Sequence, residues 1–185
     1  MTVRIVTDSS CDLPQQVADS LGISIVPLKI SFGHEEYVDR TTITADEFWR
    51  KCAASAELPQ TAAPSEGDFA KVYQQLKSEG ATGIVVIALS SSLSATMQSA
   101  VNAAKSMAET IDIRVVDSRN ASLGVGLTAV ECAERARAGD PIDLIVAMAE
   151  SLVPRTHVFG ALDTLENLDR KSTRLNSSHV KRSRM

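Results

Sequence analysis

Residues 83–89, Gly-Ile-Val-Val-Ile-Ala-Leu, hold no polar side chain and pass directly into Ser90-Ser91-Ser92-Leu93-Ser94-Ala95-Thr96, after which residues 97–108 suit a helix. A strand feeding a turn and then a helix gathers the helix's unpaired first-turn N–H groups, the positive end of its dipole and several O–H donors around one small volume. Such a volume suits an anionic oxygen.

The same strand-to-helix order recurs along the chain. Residues 3–7 read as a strand, Asp12-Leu13-Pro14 as the cap of a helix reaching Leu21, and 23–30 as a second extended run. Gly33-His34 marks a hairpin turn. Thr44-Ala45-Asp46-Glu47 is a capping box for a helix to Ala56, and Ser65 opens another that runs to Glu79. Further β-rich runs at 83–89, 113–117 and 157–161 are separated by segments long enough for helices at 94–108, 121–138 and 142–152. This alternation predicts an α/β fold, a mainly parallel sheet with helices on both faces and ligands at the carboxyl ends of the strands. Three loops are expected there: Asp8-Ser9-Ser10, 90–96 and Asp117-Ser118.

Charge divides the chain. Residues 1–168 hold 13 Lys+Arg and 22 Asp+Glu, a net of −9, whereas 169–185 hold six basic residues against Asp169 alone, a net of +5. The acidic body argues against nucleic acid, whose phosphates need clustered Lys and Arg. The segment from Asp169-Arg170-Lys171-Ser172-Thr173-Arg174 onward has no amphipathic period and resembles translated sequencing-adapter sequence, so a non-native tail is expected at 169–185, with one domain at 1–168. With 44% hydrophobic residues the body is globular in composition, and no run approaches the ~20 apolar residues of a membrane span. The start reads as a strand rather than a signal peptide. A cytoplasmic location without membrane insertion is therefore expected. Cys11, Cys52 and Cys132 are odd in number and widely spaced, which points to reduced thiols rather than disulfides or a metal site.

Five ordered motifs carry a resemblance. Val6-Thr7-Asp8-Ser9-Ser10-Cys11-Asp12-Leu13, Ile25-Val26-Pro27-Leu28, Thr61-Ala62-Ala63-Pro64-Ser65, Ser90-Ser91-Ser92-Leu93-Ser94-Ala95-Thr96 and Val116-Asp117-Ser118 are similar, in order and spacing, to those of the DegV family, which binds long-chain fatty acids. The resemblance covers 1–168, where it implies a continuation into a Gly-Gly-Arg stretch and a second domain, which is expected to be missing here. It implies that Thr61 and Ser94 hydrogen-bond the fatty-acid carboxylate. It also implies a non-catalytic lipid-binding subunit, with no cofactor or metal, that presents the acid to a partner fatty acid kinase. Without the second domain, weak binding is expected. Ala62-Ala63 stands where the family has Ser-Gln, and Ala95 stands where it has Gly; a positive φ at Ala95 would cost roughly 1 kcal/mol.

Elementary chemistry supports a carboxylate held without a countercharge, since charge-assisted hydrogen bonds contribute roughly 1.5–3 kcal/mol each. Burying about fifteen methylenes adds roughly 12 kcal/mol gross, before association and ordering losses. Leu93, Val125, Leu127, Phe159 and Ile30 are apolar contributors without an assigned site role. The turn at 90–94 equally suits a helix cap, and Asp8 and Asp117 read as acceptors for loop N–H groups. Two other classes stay open. One is a serine hydrolase pairing Ser94 with His157 or His34 and an Asp, though Gly-x-Ser-x-Gly is absent; the other is a phosphate- or nucleotide-binding enzyme, though neither Gly-rich phosphate motif is present.

Overall fold

The computed structural model describes residues 2–55 and 57–161. The expectations for 162–185, the tail included, lie outside the described residues.

Gly83–Ala88 forms a strand buried at every position, the pattern of a strand covered on both faces. It is one of the two interior strands of a four-stranded parallel sheet. In chain order the strands are β1 (Val3–Asp8), β2 (Ile23–Val26), β3 (Lys29–Phe32), β4 (Glu35–Val38), β5 (Gln60–Ala62), β6 (Gly83–Ala88) and β7 (Asp112–Asp117). The parallel sheet has the order β2-β1-β6-β7, and β4-β3-β5 form a separate antiparallel sheet. Among the described residues six α-helices accompany them: α1 (Gln15–Leu21), α2 (Ala45–Ala54), α3 (Glu66–Ser78), α4 (Thr96–Ser106), α5 (Leu123–Arg137) and α6 (Ile142–Leu152).

Alternate strand residues feed two apolar cores. Val3, Ile5, Val85 and Ile87 pack with Ala18 of α1, Val125 and Ala129 of α5, and Ile145 and Ala149 of α6. Val6, Ile84 and Val86 face the other way, onto Phe69 and Tyr73 of α3 and Ala100 and Ala103 of α4. Helices thus cover both faces, as the alternation predicts.

Capping follows the sequence at α2 and α3. Thr44 with Glu47 and Ser65 with Asp68 form reciprocal capping boxes. At α1 the cap differs: Pro14 precedes the first turn, while Asp12 sits in the left-handed region at φ 52°. The extended run at 23–30 is not one strand. Pro27-Leu28 breaks it, because proline removes a ladder donor, and its halves enter different sheets. The hairpin at Gly33-His34 forms as expected, with Gly33 at φ 58° joining β3 to β4. Residues 157–161 form no strand: Val158 and Phe159 are exposed and pair with no strand among the described residues.

Candidate functional site

The chain runs from β1 outward to β2, then returns to the far side of β1 through β6 and β7. The winding therefore reverses between the carboxyl ends of β1 and β6, the kind of crevice where open α/β sheets bind ligands. All three loops expected at that edge meet there.

Asp8 ends β1 and is 1% exposed. Its Oδ2 accepts the Leu89 N–H at 2.9 Å, and its Oδ1 accepts the Ser10 N–H at 3.0 Å and the Ser10 hydroxyl. Burial pushes the Asp8 carboxyl above its ordinary value, against those hydrogen bonds. The neighbouring Ser9 Oγ accepts the Leu28 N–H at 3.0 Å and so holds the bend between β2 and β3. Asp117, at the end of β7, accepts the Ser91 N–H at 3.2 Å, the Ser91 hydroxyl at 2.6 Å and the Arg119 N–H at 2.9 Å. Partial burial raises its carboxyl, but these bonds outweigh it and hold the group below its ordinary value. Both aspartates organise loops, in keeping with the acceptor roles read from sequence.

These ties shape a cavity of about 360 Å³, lined by Leu28, Thr61, Ala62, Ala63, Leu89, Leu93, Ser94 and Ala95. It falls at the small end of ligand pockets, which run roughly 300–1,000 Å³. Thr61 and Ser94, distant in sequence and borne on β5 and on the turn that follows β6, line the same space. Thr61 arrives on β5, where it lies opposite Ile30 of β3. Ser94 closes the turn before α4; its hydroxyl lies 2.9 Å from Thr96 Oγ1 and accepts the Thr96 N–H at 3.2 Å. The α4 N-cap is Ala95 itself, at φ −77°, so alanine is unstrained there and the cost anticipated for a positive φ does not arise. The first-turn N–H groups of α4 have no intrahelical acceptors, that of Thr96 being taken by Ser94 Oγ, and the residue before the helix, Ala95, lines the cavity.

Of the other lining residues, Leu28, Ala62 and Ala63 carried no site signal in the sequence beyond their place inside the motifs, and Leu89 carried none beyond ending the apolar run at 83–89. Of the apolar contributors proposed, Leu93 lines the cavity. Val125 lies in the core instead, and Leu127 and Phe159 are 60% and 92% exposed. The Ser94 hydroxyl engages Thr96, not an imidazole, and His34 and His157 are both exposed. Among the described residues no group of three His, Cys, Asp or Glu side chains is placed to hold a metal ion, and no helix is long and apolar enough to cross a membrane.

The family model described as "Uncharacterised protein, DegV family" matches residues 2–179, across the boundary that the sequence reading sets at 168. A DegV domain-containing protein of Listeria monocytogenes is 31% identical over 178 residues, covering 96% of this chain and 62% of that protein. The chain thus spans about six-tenths of the length of the curated relatives it matches. A DegV family protein from Thermus thermophilus, described by its fatty acid binding, is similar in structure with a TM-score of 0.76 and 36% identity, over 83% of this chain and 54% of that one. DegV of Bacillus subtilis, a fatty acid binding protein, gives a TM-score of 0.78 at 28% identity over 83% of this chain and 54% of that one. The matched length and the ordered motifs lead to one conclusion: this chain belongs to the DegV family.

Proposed function

We propose that the chain binds a long-chain fatty acid, with the carboxylate held by the hydroxyls of Thr61 and Ser94 and by N–H groups at the start of α4. Above all, this reading is supported by the cavity that Thr61 and Ser94 share between Leu28, Leu89 and Leu93. Two hydroxyl donors at an apolar hollow suit a ligand with an anionic end and a hydrocarbon body. The fatty acid binding described for the Thermus thermophilus and Bacillus subtilis proteins supports the same ligand class.

In this reading the chain does no chemistry of its own and presents the acid's carboxyl end to a partner kinase. Support comes from Ser94, whose hydroxyl is engaged by Thr96 rather than by a base. Titration of the purified chain with palmitate tests the ligand, and Thr61→Ala or Ser94→Ala is expected to weaken binding about tenfold each. Unchanged affinity in the double variant removes the assignment. For the kinase step, phosphoryl transfer to palmitate by a candidate kinase with ATP should depend on added chain; transfer at the same rate without it contradicts presentation.

A further inference from the structure

We infer that Asp117, with Asp8, is a positioning residue that suspends the fatty-acid-binding turn above the crevice and so sets where Ser94 meets the ligand. This rests on the fatty-acid reading above and extends it to residues outside the cavity, since neither carboxylate is among the lining groups.

Three successive N–H groups lie just beyond the end of the β6 ladder, and each is taken by a different neighbour. Leu89 donates to Asp8 Oδ2 at 2.9 Å, Ser90 to the Asn120 carbonyl at 3.0 Å, and Ser91 to Asp117 Oδ1 at 3.2 Å. A chain leaving a sheet must find new acceptors for its N–H groups, and here two come from the last residues of the flanking strands β1 and β7 and one from the loop after β7. Asp117 does more than accept one bond. It also takes the Ser91 hydroxyl and the Arg119 N–H, fastening the turn to the loop that follows β7.

Beyond this clamp the turn closes on itself. The N–H groups of Leu93 and Ser94 donate to the Ser90 carbonyl at 2.9 and 3.2 Å, so a displacement of residues 89–91 is carried directly to Ser94. A negative charge near an anion site offers the ligand nothing by itself. The contribution of Asp117 is acceptor geometry, and an asparagine that keeps Oδ1 should supply most of it.

The test is palmitate affinity of the chain and its Asp117→Ala and Asp117→Asn variants, paired with amide hydrogen exchange over residues 89–94. Asp117→Ala is expected to weaken binding about tenfold with faster exchange in that segment, while Asp117→Asn stays within about threefold of the parent. If the alanine variant does not fold, Ser91→Ala removes only the hydroxyl bond and is expected to cost about threefold. Parental affinity in Asp117→Ala, parental affinity in Ser91→Ala where that variant replaces it, asparagine as weak as alanine, or unchanged exchange would each overturn the inference while leaving the fatty-acid reading in place. A parent chain that takes up no palmitate would overturn that reading, and this inference with it.

Discussion

At Asp8, burial and hydrogen bonding pull in opposite directions, and burial is the stronger, so the folded carboxyl titrates above 3.8. The sign follows from linkage: the folded state holds this proton more tightly than the unfolded chain, so stability falls as pH rises from about 3.8 through the folded value. Asp8→Asn does not titrate. Its unfolding free energy relative to the parent should therefore grow across that interval in urea titrations at stepped pH, and a constant difference would contradict the account. Asp117 behaves oppositely: its depressed value supplies stability above its unfolded value that is lost as pH falls through the folded one. Removing the Asp8 side chain is a separate matter. Asp8→Ala leaves the buried Leu89 N–H without its acceptor and should cost about 1–3 kcal/mol in chemical denaturation.

Among the elements, α5 approaches the turn after β1 more closely than a side chain allows. A Cβ on Gly126 would collide with the Cys11 carbonyl and stand 2.9 Å from Leu13 Cγ. The carbonyl belongs to buried backbone and has little room to yield, so Gly126→Ala should destabilise by about 1–3 kcal/mol, read as a lowered urea midpoint with unchanged slope. At the other extreme, α2 has no buried residue, and Trp49 on it is 67% exposed. Its amides should exchange well before those of β6, whose side chains are all buried. The strongly patterned elements were legible in sequence. The apolar run of β6 and the capping boxes at Thr44 and Ser65 announce themselves locally. By contrast β5 is three residues long between Pro59 and Pro64, and its existence depends on pairing with β3, which no local pattern reports. The strand expected at 157–161 fails for the same reason in reverse, since its apolar pattern finds no neighbour to pair with among the described residues.

For the whole molecule, the two sheets meet at the cavity, with Thr61 contributed by the antiparallel one and the turn holding Ser94 by the parallel one. Sequence motifs pointed to both residues through resemblance, but neither their convergence nor the walls made by Leu28 and Leu89 could be read from spacing. Those depend on the reversal of winding between β1 and β6. A ligand spanning the cavity should couple the sheets, so palmitate is expected to slow amide exchange in both Gln60–Ala62 and residues 89–94. Protection confined to one segment would place the ligand elsewhere. The central claim, that hydroxyls from two sheets grip one carboxylate, is tested most directly by the carbon-13 resonance of carboxyl-labelled palmitate bound to the chain. It should shift in both Thr61→Ala and Ser94→Ala; a resonance that ignores either substitution would contradict the account.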